Sequence, residues 1–86
     1  MLRRAYDAFM FWLNADLPTR IWKLHKEDCL YCKPGETRSK GLGKMQSYGG
    51  WFRFTTVKEA YEFFLSQNER YVWQPCKTCR PEEAYT

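Results

Sequence analysis

Two Cys-x-x-Cys pairs constrain this chain more than any other feature of its sequence. They contain all four cysteines of the 86 residues, with Cys29 and Cys32 in the first pair and Cys76 and Cys79 in the second. Two thiolates three residues apart in a tight turn can face one ion, and two such turns complete a tetrahedron around zinc. A chain this short has a marginal hydrophobic core and benefits from a metal staple. The pairs therefore predict a Zn²⁺ site with four cysteine ligands.

The histidine at position 25 offers an alternative fourth ligand. His25 precedes Cys29 by four residues, which is also a spacing that metal ligands adopt. A site of His25, Cys29, Cys76 and Cys79 would leave Cys32 as a bystander. The two matched cysteine pairs favour the all-cysteine set, with His25 in place of Cys32 as the alternative.

The compartment bears on the choice between metal ligands and disulfides. No run of residues approaches the ~20 apolar residues of a membrane helix, and the apolar block at 8–13 is too short for the core of a secretory signal. We therefore expect a soluble cytoplasmic protein without a membrane partner. In a reducing compartment, cysteines are metal ligands more often than disulfides.

An N-terminal helix is predicted over residues 3–17, in a segment 1–17 that precedes the zinc-binding core at 20–81. Its apolar residues are spaced by four, three and four positions, as on one face of a helix; they are Leu2, Tyr6, Phe9 and Leu13. Phe11 and Trp12 widen the apolar stripe, so the helix must be covered by this domain or by a partner. Pro18 ends it, because proline disfavours helical geometry in the preceding residue.

The remaining pattern predicts a single α+β domain with a short antiparallel sheet. Short strands are expected at 20–24, 51–54 and 71–73, and one central helix follows the strand at 51–54. Thr56 is the predicted N-cap of that helix, with Glu59 three residues later as in a capping box. A flexible, glycine-containing basic loop is expected at 33–50 and a tail at 82–86.

The resemblance to a known family rests on the second half of the chain. Its carriers are the aromatic strand Trp51-Phe-Arg-Phe54, a threonine-rich cap, the helical Lys58-Glu-Ala60 and the segment Gln74-Pro-Cys76-Lys-Thr-Cys79-Arg-Pro81. With these, residues 22–82 resemble the metal-binding N-terminal domain of the Ada DNA-repair protein and its small zinc-binding relatives. The resemblance implies a zinc-stapled fold and DNA as partner. The family's first ligand pair has three intervening residues, which matches His25 and Cys29. Its methyl-accepting cysteine would fall on His25, so methyl transfer is not implied.

Basic residues suggest an anionic partner. The formal net charge is +4, and residues 20–53 hold eight basic residues against three acidic ones. Such a segment is suited to nucleic acid. The predicted phosphate contacts are Lys33, Arg38, Lys40, Lys44 and Arg53. Tyr48 and Trp51 are the predicted stacking residues for bases, while strand alternation assigns Phe52 and Phe54 to the core.

Two other functions are kept beside this zinc-dependent nucleic-acid-binding module. A protein-interaction adaptor, or a homodimer, would use the N-terminal helix with Phe11 and Trp12 as aromatic anchors. A zinc-bound thiolate could also accept an alkyl group from damaged DNA. The single histidine, with no Ser/His/Asp set or phosphate loop, argues against an enzyme.

Overall fold

The computed structural model describes residues 10–67 and 70–83, which form a five-stranded sheet with one α-helix. The elements in chain order are β1 (Phe11–Asp16), β2 (Ile21–Lys26), β3 (Gly41–Leu42), β4 (Gly49–Phe54), helix α1 (Val57–Leu65), β5 (Val72–Pro75) and a short 3₁₀ turn (Pro81–Glu83). The α+β class and the helix after the aromatic strand are confirmed. The predicted loop at 33–50 contains β3.

The sheet is mixed, which corrects the prediction of an antiparallel one. Its strand order is β3-β4-β1-β2-β5. Strand β1 pairs antiparallel with β2 and β4, whereas β5 runs parallel to β2 and β3 runs parallel to β4. Parallel pairing needs a crossover connection. Helix α1 lies in the connection that takes the chain from β4 to the opposite edge of the sheet, so β5 runs in the direction of β2.

The predicted N-terminal helix is wrong for the part of it that the structure describes. Residues 11–16 form strand β1, in which Phe11, Leu13 and Ala15 are fully buried and the residues between them are partly exposed. This period of two fits a strand held between two neighbours. The helical spacing came mainly from residues before position 10, which lie outside the described residues.

The core lies between one face of the sheet and helix α1. Its buried members are Phe11, Leu13, Ala15, Trp22, Leu24, Ala60 and Phe64. The Trp22 ring stacks on Tyr71 with centroids 4.8 Å apart and meets Phe64 edge-on at 5.6 Å. Phe52 and Phe54 pack against this cluster, as predicted. The burial of Phe11 corrects its assignment as an exposed interface anchor.

The opposite face of the sheet, called the site face below, carries polar and aromatic side chains in rows across the strands. Cross-strand register aligns Trp51, Asn14, Lys23 and Gln74 in one row over four strands. Arg53, Trp12 and His25 form the next row over three strands. Paired residues in a sheet project to the same side. The site face is therefore assembled from residues far apart in the sequence.

The first residue of β4, Gly49, lies so close to the backbone of β1 that only glycine fits there. Gly49 has a φ of +121°, a conformation that residues with a Cβ rarely adopt. A Cβ at this position would collide with the carbonyl oxygen of Ala15. Gly49 thus lets the chain leave the basic loop and enter the sheet beside Asp16.

Helix α1 begins at the predicted cap. The Thr56 side chain accepts a hydrogen bond from the Glu59 amide at 3.0 Å. The Glu59 carboxylate in turn accepts bonds from the Thr55 hydroxyl at 2.6 Å and the Thr55 amide at 3.2 Å, one residue before the cap. These bonds lower the pKa of Glu59. The cap satisfies backbone donors that a helix start leaves free.

Thr56→Ala should lower the free energy of unfolding by about 1 kcal/mol, because the helix loses its side-chain cap. Chemical denaturation of the zinc-loaded protein would measure this. Thr56→Ser is the matched control and should keep the wild-type stability, since serine caps as well as threonine. Equal stability of the alanine variant and wild type would contradict the assignment.

Candidate metal centre

Four side chains converge at one end of the β2–β5 pair. His25 lies near the end of β2 and Cys29 follows it, while Cys76 directly follows β5 and Cys79 comes three residues later. Their ligand atoms all lie within 4.8 Å of one another. Because β2 and β5 are parallel, the residues after both strands emerge at the same edge. These four residues could hold a metal ion.

The spacing of two sulfurs fits a tetrahedral centre. The Sγ atoms of Cys29 and Cys76 are 3.8 Å apart. Two sulfurs each ~2.3 Å from a tetrahedral zinc ion would lie about 3.8 Å from each other. His25 also fits, because its Nδ1 is buried and has no hydrogen-bond partner among the described residues. The donor set and its spacing suit a metal such as zinc.

Backbone amides surround the sulfurs. The Tyr31 amide donates to Cys29 Sγ and the Thr78 amide to Cys76 Sγ, each at 3.4 Å and each from two residues further along the chain. The Lys26 amide donates to Cys79 Sγ at 3.2 Å. Hydrogen bonds to a charged form favour that form. Each sulfur of the group thus accepts a backbone hydrogen bond, which works against the effect of burial on a thiolate.

The pKa values of the candidate ligands indicate which protons a metal ion must displace. Burial works to raise the pKa of Cys76, but hydrogen bonds from the backbone amides of Cys79 and Thr78, together with those from the neighbouring Cys29 and Cys79 thiols, outweigh it and leave that pKa lowered. Burial raises the pKa of Cys79 to about 12. Burial, aided by the positive charge of Lys23, lowers the pKa of His25 and keeps its imidazole neutral. A neutral imidazole is the form that ligates metals.

Cys32 lies outside the group of four. It follows Cys29 in the same turn, where its amide donates to the Cys29 carbonyl at 3.0 Å. Burial and the neighbouring Cys29 raise the pKa of its thiol to about 11. The structure thus brings together the set that contains His25, which the sequence had offered as the alternative, and places Cys32 beside it.

The predicted nucleic-acid contacts divide into side chains that have a partner within the protein and side chains that have none among the described residues. Arg53 forms a two-pronged ion pair with Glu27 at 3.0 and 3.1 Å, and Lys44 pairs with Glu36 at 3.4 Å. The Lys40 ammonium lies over the Trp51 ring, 5.7 Å from its centroid. Lys33, Arg38 and Tyr48 are exposed and have no such side-chain partner within residues 10–67 and 70–83, while Lys44 and Arg53 are exposed despite their ion pairs.

Trp51 is a packing residue rather than an open platform. Only 9% of it is exposed. Its ring lies 6.4 Å from Trp12 and 6.2 Å from His25, measured between centroids. Trp12 donates from its indole nitrogen to Glu27 at 3.2 Å. Trp51 therefore supports the candidate ligand His25 from the middle of the site face.

Three polar residues near the candidate metal centre were not predicted from the sequence. Asn14, Lys23 and Gln74 lie beside His25 and Cys76 around one cleft. Alternation along β2 could have placed Lys23 on the face of His25. Nothing in the sequence indicates the register that adds Asn14 and Gln74, because they come from strands far apart in the chain.

Comparison with protein families, with curated proteins and with solved structures found no match. Within the described ranges 10–67 and 70–83, no helix has the length and apolar character needed to cross a membrane.

The ligand set can be tested by substitution. His25→Ala and Cys79→Ser should each weaken zinc binding by about 100-fold or more, because each removes a direct ligand. Cys32→Ser is the matched control and should bind zinc like wild type. Cobalt substitution gives a second measurement: the thiolate charge-transfer band should fall by about a third in Cys79→Ser and remain in Cys32→Ser. Loss of metal in Cys32→Ser with retention in His25→Ala would reverse the assignment.

Zinc binding should release protons. The pKa of Cys79 in the metal-free protein is raised to about 12, so this thiol is protonated at neutral pH. It must lose its proton to ligate the metal, and zinc affinity should therefore fall as the pH is lowered. Calorimetry at about pH 7 in buffers of different ionisation enthalpy should show at least about one proton released per zinc ion. A binding heat that does not depend on the buffer would refute this expectation.

Proposed function

We propose that the chain is a zinc-binding module that binds nucleic acid without catalysis. The observation that carries the proposal is the convergence of His25, Cys29, Cys76 and Cys79, whose ligand atoms lie within 4.8 Å of one another. Three thiolates and an imidazole are soft ligands, which suit zinc and do not suit magnesium or calcium. This ligand chemistry supports zinc as the proposed metal.

The zinc has a structural role in this proposal. Four protein ligands fill a tetrahedral shell and leave no open position for water or substrate. Cys29, Cys76 and His25 are 8%, 4% and 3% exposed, so the centre is largely closed to solvent. The ion ties the segment after β2 to the segment after β5. Binding energy of this kind contributes directly to folding in a small domain.

Charge supports nucleic acid as the partner. The formal net charge is +4, and Zn²⁺ with three thiolates and a neutral imidazole contributes a centre of about −1. Lys33 and Arg38 are exposed, and neither has an ion pair within residues 10–67 and 70–83. These two side chains can meet phosphates without first breaking a contact. The resemblance to the Ada metal-binding domain favours DNA.

A salt titration of the zinc-loaded protein tests this function. Affinity for a single-stranded oligonucleotide should fall as salt rises, because lysine and arginine contacts release counterions from the phosphates. The double variant Lys33→Ala/Arg38→Ala should bind more weakly and flatten the slope of log K against log salt by about 1.4, or 0.7 per lost contact. Fluorescence anisotropy at several salt concentrations gives both quantities.

Lys58→Ala is the matched control for charge. Lys58 is exposed on helix α1, which covers the core face of the sheet, so its loss should leave the slope unchanged. Absence of binding by wild type at low salt, with zinc bound stoichiometrically, would reject nucleic acid as the partner while leaving the zinc module in place.

A further inference from the structure

A cleft of about 530 Å³ opens on the site face beside the metal centre. Its lining includes Asn14, Lys23 and Gln74, which stand in one row across β1, β2 and β5. Tyr31 and Lys77, from the two cysteine turns, also line it. His25 and Cys76 border the same cleft. The volume falls in the range of small-molecule sites, about 300–1,000 Å³.

The cleft continues along the sheet. A neighbouring hollow of about 250 Å³ shares Asn14, Lys23 and Gln74 and extends to Asp16 and Thr19. Hydrogen-bonding groups therefore line a continuous groove rather than one closed pocket. An elongated polar ligand fits this shape better than a compact apolar one.

Two ammonium groups give the cleft its charge. Lys23 and Lys77 line it, and neither forms an ion pair within the part of the chain that the structure describes. Beside a zinc centre of about −1, the two ammonium groups leave the larger cleft with a charge of about +1, and Asp16 lies in the neighbouring hollow. Paired lysines without a protein counterion are suited to a phosphate group.

The side-chain amides of Asn14 and Gln74 and the ring of Tyr31 are the groups in the cleft that could recognise a base. Asn14 Oδ1 is buried and has no partner among the described residues, an arrangement that costs free energy unless a ligand donates to it. Asparagine and glutamine amides pair with the N6 and N7 edge of adenine. Tyr31 is 59% exposed and offers a ring on which a base can stack.

We infer that this cleft binds one adenine nucleotide, with the base at Asn14, Gln74 and Tyr31 and the phosphate at Lys23 and Lys77. The inference rests on the nucleic-acid part of the proposed function, and it assigns the recognition of a base to Asn14 and Gln74, which share a row with the buried Trp51, instead of to Trp51 itself. The same chemistry is presented by a free mononucleotide and by one nucleotide of a single strand.

The experiment titrates the zinc-loaded full chain with 5′-AMP, with inorganic phosphate and with a short oligodeoxyadenylate, followed by amide NMR shifts. AMP should shift the side-chain amides of Asn14 and Gln74. Lys77→Ala should weaken both AMP and phosphate by about tenfold, as expected for loss of a charged hydrogen bond. Asn14→Ala should weaken AMP roughly fivefold and leave phosphate unchanged. Lys58→Ala is the control and should change neither.

The results distinguish a free mononucleotide from a nucleotide within a single strand as the ligand. They also distinguish failure of the cleft proposal from failure of the proposed function. Binding of both AMP and the oligomer, sensitive to Asn14→Ala, supports the cleft as a site for a strand. AMP binding without oligomer binding supports the cleft and rejects nucleic acid as the partner. Oligomer binding that is unaffected by Lys77→Ala and Asn14→Ala overturns the cleft and leaves the proposed function intact. No binding of either at low salt overturns both, with bound zinc as evidence of correct folding.

Discussion

The parallel pairing of β2 with β5 is the contact on which the candidate site depends. It aligns Leu24 with Pro75, so His25 comes level with Cys76 at the edge where both strands end. The Cys76 amide donates to the Leu24 carbonyl at 2.8 Å, and the Lys26 amide donates to Cys79 Sγ at 3.2 Å. Ligands 51 positions apart in sequence thus meet through backbone bonds, and a bound zinc ion would add its own cross-link at the same place.

The two faces of the sheet have different roles. The core face holds aromatic and aliphatic side chains against helix α1, with Trp22 at the centre of several rings. The site face carries a linked set in which Arg53 binds Glu27, Glu27 accepts from Trp12, and Trp12 packs on Trp51. This set holds the middle of the site face beside His25. Arg53, Lys44 and Lys40, which were predicted to contact phosphates, have partners within the protein, whereas Lys33 and Arg38 are exposed without an ion pair among the described residues.

Prediction succeeded where the physics is local. Thr56 caps a helix because its hydroxyl reaches an amide three residues away, a contact that short-range geometry determines. Phe52 and Phe54 were assigned to the core by strand alternation alone. Residues 11–16 were predicted to be helical because the spacing combined apolar residues before position 10 with Leu13 after it. Alternation of buried and partly exposed side chains within those six residues is typical of a strand. Hydrogen bonding to β2 and β4 on either side stabilises that strand.

By itself, the sequence predicted a small α+β domain with a cysteine cluster that could hold a metal ion, since two cysteine pairs in so short a chain have few other physical uses. It also determined the helix and its cap. The tertiary structure alone decided which four of five candidate ligands converge, because His25 and Cys32 have equally suitable local spacing and differ only in where β2 and β5 bring them. It also decided which basic residues are paired and which line a cleft. Strand register sets those positions, and register depends on contacts between segments that the sequence keeps far apart.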